Sequence, residues 1–285
     1  MIIVTGANGQ LGQLVINELL KTLPASQIVA AVRSPEKAAS LKALGVTVRQ
    51  ADYTRPETLE TAFAGATKLL LISSSEVGAR ATQHANVIAA AKKAGVPYIA
   101  YTSLLRADTS PLSLAAEHIA TEKMLAESGI AHTLLRNGWY TENYAASIAP
   151  ALQYGVFIGA AGEGRIASAA RADYAAAAAA VLTSEGHAGK VYELAGDDSY
   201  TLGEFAAAIA QTSGKPVSYQ NMSEADFTVA LTQAGLPAGF AAILAQSDTG
   251  AAQGGLFDDS HTISRLTGRS TTPYTTVISA ALKAL

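Results

Sequence analysis

The opening stretch, Met1-Ile2-Ile3-Val4-Thr5-Gly6-Ala7-Asn8-Gly9-Gln10-Leu11-Gly12, constrains the fold more than any other part of the chain. Ile2 to Val4 reads as a buried strand, and Gly6, Gly9 and Gly12 mark a turn. Leu11, Leu14, Val15, Leu19 and Leu20 then recur on one helical face. Strand, glycine-rich turn and helix form the first unit of a dinucleotide-binding sheet. One glycine lets the chain turn, one lets backbone approach a pyrophosphate, and one lets the helix lie close to the strand. The helix N-terminus then offers free N–H groups and a positive dipole end to phosphates. The alternative is a tight turn and nothing more. The strand before it and the helix after it argue against that.

The rest of the chain extends this unit. Gln27 to Val32 is a second strand, ending at Arg33. An NAD site has an acid at this point to bind the ribose 2′-hydroxyl, whereas an arginine suits a 2′-phosphate. Arg33 is read as that arginine; the alternative is a surface residue at a strand end. Ser34 and Pro35 predict the N-cap and first turn of a helix to Leu44. A strand over 46–50 follows. Thr54-Arg55-Pro56-Glu57 predicts a capping box and a helix through Phe63. Lys68 to Ile72 is a continuous apolar strand, of the kind buried in a parallel sheet, and it ends in Ser73-Ser74-Ser75. Helices over 82–94 and 114–127 alternate with strands over 98–101 and 131–135. The last strand runs into Arg136-Asn137-Gly138-Trp139-Tyr140-Thr141-Glu142-Asn143, which holds the single tryptophan. The alternation predicts an α/β fold with a doubly wound parallel sheet.

Beyond Asn143 the alternation loosens. Short strands are expected over 156–160, 166–169, 191–195 and 217–220. Helices are expected over 173–184, after a second capping box at Thr201 and Glu204, after Ser223, over 237–246 and near 276–284. The division expected is a Rossmann domain over 1–136 plus about 165–196. About 137–164 plus 197–285 then forms a smaller interleaved substrate or lid domain.

The chain has 285 residues, of which 49% are hydrophobic, so a substantial core is available, which argues against disorder. Net charge is −3 without a block of like charge, which argues against nucleic acid or an anionic membrane as partner. There is no cysteine, hence no thiolate nucleophile. No apolar run is long enough to span a bilayer, and a cytoplasmic location is expected. His84, His132, His187 and His261 are scattered without ligand spacing, so no metal is expected.

Thr5-Gly6-Ala7-Asn8-Gly9-Gln10-Leu11-Gly12 resembles the short-chain dehydrogenase/reductase superfamily in its extended and atypical branches. Most members carry Tyr-x-x-x-Lys on a helix, one turn apart, with the lysine lowering the tyrosine pKa for proton transfer. Here Leu114 and His118 occupy those places. His118-x-x-x-Glu122, Ser128-Gly129-Ile130 and Thr133-Leu134-Leu135-Arg136-Asn137 resemble the NmrA-like atypical branch. Ile72 to Gly78, Tyr101 to Leu105, Leu135 to Tyr140, Phe157 to Ala161 and Gly254 to Asp259 are similar to the flavin-free NAD(P)H:quinone oxidoreductases of that branch.

The resemblance implies cofactor contacts from Gly6, Ala7, Asn8, Gly9, Gln10 and Leu11, from Arg33, and from Ile72, Ser73 and Ser74. It also implies contacts from Asn137, Gly138, Trp139, Tyr140, Thr141 and Glu142, and it puts Asp52 near the adenine unless Asp52 is an ordinary loop acid. His118 is either a ribose or proton-shuttle residue or a packing histidine.

A quinone accepts hydride without a strong acid, because its reduced form is a stabilised phenolate. A site without Tyr-x-x-x-Lys suits such an acceptor. The expected activity is therefore two-electron, NADPH-dependent quinone reduction by direct hydride transfer, with neither flavin nor metal. Trp139, Tyr140 and Phe157 would wall the quinone ring, and Asn137 would offer it a donor. Other readings are an NADP-binding regulator without turnover, and a reductase of other conjugated electrophiles such as triphenylmethane dyes. Monomer and homodimer both stay open.

Overall fold

The computed structural model describes residues 1–285. In chain order the elements are β1 (Ile2–Val4), α1 (Gln10–Leu19), β2 (Ile28–Val32), α2 (Ala39–Ala43), β3 (Thr47–Gln50), α3 (Pro56–Phe63), β4 (Lys68–Leu71) and α4 (Arg80–Lys93). Next come β5 (Tyr98–Leu104), α5 (Ala115–Ser128), β6 (Ala131–Asn137), α6 (Thr141–Ala145), α7 (Ile148–Tyr154), β7 (Val156–Gly159), α8 (Arg171–Thr183) and β8 (Val191–Leu194). The chain finishes with α9 (Leu202–Ser213), β9 (Ser218–Asn221), α10 (Glu224–Gln233), α11 (Ala238–Ala252), α12 (Thr262–Thr267) and α13 (Tyr274–Lys283).

A seven-stranded sheet runs in the order β3-β2-β1-β4-β5-β6-β8. The pairs among β1 to β6 are parallel. The order reverses beside β1, so the carboxyl ends of β1 and β4 border the place where such folds take ligands. β1, β2 and β4 are almost wholly apolar and buried, as strands covered by helices on both faces must be.

Chain contacts group into two compact units: Met1–Ala107, Ala116–Asn137 and Arg171–Tyr192 in the first, and Asp108–Ala115, Gly138–Ala170 and Glu193–Leu285 in the second. The first unit's core joins Ile3, Val29, Leu59, Phe63, Leu69, Leu71, Val87, Ile99 and Tyr101. In this unit α8 packs against α1, and its Ala175, Ala177 and Ala178 are buried. The second unit carries the parallel pair β7–β9 and an aromatic cluster of Tyr144, Phe157, Tyr200, Phe205 and Tyr274. Residues 108–115, placed with the large domain from sequence, group with the second unit. Gln246 holds them there, donating to the Pro111 carbonyl at 2.9 Å and accepting the Ser113 N–H at 2.8 Å.

Three local expectations change. Ser34 and Pro35 do not open one helix to Leu44; a 3₁₀ turn over Pro35–Lys37 precedes α2, and Ser34 makes no side-chain cap. Asn8 Nδ2 donates to the Lys37 carbonyl at 3.1 Å, at the break between the 3₁₀ turn and α2. Thr54 caps nothing: Asp52 Oδ1 accepts both its N–H (2.9 Å) and its hydroxyl (2.8 Å), and Arg55 becomes the N-cap. Residues 166–169 form no strand but isolated bridges, Ile166 with Tyr200 and Ala169 with Tyr140. The Thr201–Glu204 capping box is present as expected.

Candidate active site

In the first unit, the turn after β1 is built on close backbone approach. Gly6 has φ +57°, a left-handed conformation that favours glycine. A Cβ on Gly12 would lie 2.5 Å from the Gly6 oxygen and 2.6 Å from Ala7 Cα, so the α1 backbone sits directly on the turn. Gly9 is the N-cap of α1 and caps it with no side chain. The first-turn N–H groups are therefore left for solvent or a ligand, which is the arrangement that receives phosphate oxygens. Leu11 is buried behind the turn, while Gln10 is exposed at its rim.

Arg33 follows β2 directly and is mostly exposed; its Nη1 pairs with Glu76 Oε1 at 2.9 Å. Asp52 spends its carboxylate on Thr54, as an ordinary Asx turn.

The segment Ile72-Ser73-Ser74 leaves β4 and is held almost atom by atom. The Ile72 N–H donates to Thr5 Oγ1 at 3.1 Å, and the Ile72 carbonyl accepts Tyr53 Oη at 2.9 Å. The Ser73 N–H donates to Thr102 Oγ1 at 2.8 Å. The Ser74 N–H donates to His84 Nε2 at 2.9 Å, and its carbonyl accepts Arg80 Nε at 2.7 Å. Sequence reading singled out the serines and missed these holders. The available signal was polar Arg80, Gln83 and His84 on a helix face that continues as Val87, Ile88 and Ala91.

His118, on α5, is buried with both ring nitrogens engaged. Arg80 Nη1 lies 3.3 Å from its Nε2, and Tyr101 Oη lies 2.7 Å from its Nδ1. A guanidinium only donates, so Nε2 holds the lone pair and Nδ1 the hydrogen. Burial, then the charge of Arg80, then His84, lower its pKa to about 3. The ring is held neutral. Leu114 lies one residue before α5 begins. Nearby, Ser103 Oγ donates to Glu122 Oε1 at 2.5 Å, and Arg136 grips the same carboxylate through Nε (2.9 Å) and Nη2 (2.7 Å). Asn137 ends β6, and its buried Oδ1 has no hydrogen-bond partner. An orphaned buried acceptor costs free energy unless a ligand supplies the donor.

In the second unit, Gly138 to Tyr140 lead into α6, which Thr141 and Glu142 open. The Thr141 N–H donates to the Ala169 carbonyl at 3.0 Å, and its hydroxyl lies 2.8 Å from Ser168 Oγ. Trp139 is mostly buried, its ring centroid 6.5 Å from that of Tyr144. Tyr140 and Glu142 keep partial exposure. Phe157 is not a surface wall: it is 2% exposed and packs on Phe205 at 5.5 Å.

A family model described as NAD(P)H-binding matches residues 6–185. The chain is 66% identical, over 272 residues and 95% of both chains, to quinone oxidoreductase 2 of Escherichia coli. The crystal structure of the NADPH-dependent quinone oxidoreductase from Escherichia coli complexed with NADPH superimposes with a TM-score of 0.97 at 64% identity, covering 99% of this chain and 100% of that one. The triphenylmethane reductase of Citrobacter sp. complexed with NADP(H) superimposes with a TM-score of 0.94 at 41% identity, covering all of both chains.

Proposed function

Because this chain belongs to the NAD(P)H-binding family, among its NmrA-like members, we propose that it is an NADPH-dependent quinone oxidoreductase. The observation that carries the reading is identity of 66% along nearly the whole of a quinone oxidoreductase. The dye reductase is less similar over the same length. The residues present fit the nucleotide. The uncapped start of α1 suits the pyrophosphate, Arg33 suits the 2′-phosphate, and the orphaned Asn137 Oδ1 suits a carboxamide N–H.

When bound, NADPH supplies the hydride, and solvent supplies the proton that completes the hydroquinone. The protein's task is binding and orientation, which accounts for much of the rate in such reactions. Gly6 to Leu11, Arg33 and Ile72 to Ser74 are assigned to the nucleotide, together with Asn137 to Glu142. Trp139 and Tyr140 are assigned to the acceptor ring, with Phe157 supporting the aromatic cluster from within. No strong acid is assigned. His118 is neutral with both nitrogens engaged, and Leu114 cannot take part in proton transfer. This suits a quinone and not a ketone, whose reduction leaves a strongly basic alkoxide.

The test is NADPH oxidation by purified protein with a simple benzoquinone and no added flavin. Turnover by colourless protein is expected, with little or none on simple ketones. Tight NADPH binding without quinone turnover would favour a regulatory role, and a flavin spectrum in active protein would overturn direct transfer.

A further inference from the structure

The first turns of α4 turn a polar stripe inward. Arg80, Gln83 and His84 stand at i, i+3 and i+4, on one face, and all are buried. A helix laid on a parallel sheet normally buries apolar groups there, and each buried polar group needs a partner. These find theirs on one short segment. His84 Nε2 accepts the Ser74 N–H at 2.9 Å, Arg80 Nε donates to the Ser74 carbonyl at 2.7 Å, and Gln83 Nε2 donates to Glu76 Oε2 at 2.7 Å. The two sides of the Ser74 residue are thus held by side chains one turn apart.

The hydrogen bonds behind this grip fix its direction. Thr121 Oγ1 donates to the Glu117 carbonyl at 2.9 Å, so it only accepts from His84 Nδ1, which lies 2.9 Å away. Nδ1 carries the hydrogen, and Nε2 has no other role than acceptor. Arg80 is anchored in turn by Glu117 at 3.8 Å and His118 at 3.3 Å. At the far end of the segment, Glu76 Oε1 pairs with Arg33 at 2.9 Å.

We propose that Arg80, Gln83 and His84 are positioning residues that hold the Ser73–Glu76 loop in its NADPH-binding shape. The inference rests on the cofactor reading above and adds residues that reading does not assign. A loop at the carboxyl end of a strand is mobile unless held, and ordering it on binding costs affinity. Holding it from behind removes that cost. Through Glu76 the same helix face also steadies Arg33, the residue assigned to the 2′-phosphate.

The experiment titrates NADPH into wild type, His84→Leu, His84→Asn and His84→Gln, with initial rates and melting curves on each. A glutamine carbonyl reaches the place of Nε2. An asparagine keeps a polar group against Thr121 but stops short of Ser74. His84→Leu and His84→Asn are expected to raise the NADPH Kd and KM roughly tenfold, the scale of one lost buried hydrogen bond. Their quinone KM and their kcat at saturating NADPH should stay near wild type, and His84→Gln should restore affinity. Gln83→Leu, which leaves the Ser74 grip intact, should weaken NADPH more than NADH; it also serves if the His84 variants do not fold. Lower melting temperatures with unchanged Kd in the folded variants would overturn the proposal, as would a glutamine variant as weak as the leucine one. Failure of wild type to bind NADPH would instead overturn the cofactor reading on which the proposal stands.

Discussion

Tyr144 donates its phenolic hydrogen to Asp248 Oδ1 over 2.9 Å, and the Ala160 N–H donates to Oδ2 of the same carboxylate at 2.9 Å. Both donors are neutral, and Asp248 is 3% exposed, in the middle of α11. Burial therefore dominates and raises the Asp248 pKa from 3.8 to about 6, against the lowering effect of these hydrogen bonds. The folded pKa lies above the unfolded one, so this group's contribution to stability is fully present below about pH 4. It is lost as pH rises through about 6. We expect the stability of wild type relative to Asp248→Asn to fall by on the order of 3 kcal/mol between pH 4 and pH 7. Denaturant unfolding of both proteins across that range measures it. Parallel curves would show that Asp248 titrates normally.

His118 should contribute no inflection to the activity profile between pH 5 and 8, since its pKa is depressed to about 3. His118→Ala should lower kcat less than the roughly 10²-fold that even weak general acid–base catalysis supplies. Initial rates at saturating NADPH decide this. A collapse of turnover with cofactor binding intact would make the histidine an obligatory acid.

Arg33→Ala should weaken NADPH on the order of tenfold or more while changing NADH little, because it removes charge-assisted bonds available only to a 2′-phosphate. The Arg33–Glu76 pair does not stand in the way. It is an exposed ion pair made through Nη1, worth about 0–1 kcal/mol, and it can persist while the rest of the guanidinium meets a phosphate. Equal affinity of wild type for both nucleotides would refute the assignment.

Gly12→Ala and Gly9→Ala should separate folding from binding. At Gly12 the added methyl meets backbone at 2.5 and 2.6 Å, and backbone cannot step aside. Overpacking of that kind costs roughly 1–3 kcal/mol or more, so a clear drop in melting temperature is expected. At Gly9 the methyl meets only the Gly6 oxygen, at 3.2 Å, a tight contact relieved by a shift of a few tenths of an ångström. That variant should lose less stability than Gly12→Ala and should lose NADPH affinity, because the methyl stands at the N-cap of the helix end assigned to phosphate. Calorimetric melting and NADPH titration of both variants check the pair.

Elements written in contiguous residues were legible in the sequence. The apolar runs of β1 and β4, the glycine turn and the Thr201–Glu204 box each carry their own signal. The Thr54 box failed to a near neighbour, Asp52, and other failures involve residues far away in the chain. Asn8 reaches the Lys37 carbonyl, at the point where the helix that Ser34 and Pro35 announce is interrupted. Gln246 draws residues 108–115 into the other unit. At the candidate site, the glycines, Arg33 and the β4 serines were visible because the fold puts them at strand ends. Thr5, Tyr53, Thr102 and His84 were not, because their role lies in gripping a backbone segment many residues distant. Phe157, read as a wall of the quinone ring, is buried and packs on Phe205.

The alanines of α8 set a distance. Ala175, Ala177 and Ala178 are wholly or almost wholly buried, and α8 packs on α1, the helix whose first turn is assigned to phosphate. Small side chains on α8 let the two helices approach closely, as shims of fixed thickness. A valine or leucine at an alanine of that contact would be a wedge: it would push α1 aside and misalign the N–H groups of its first turn. In a mutational scan this alanine helix would then register as sensitive to nucleotide affinity, although it contributes no ligand contact of its own.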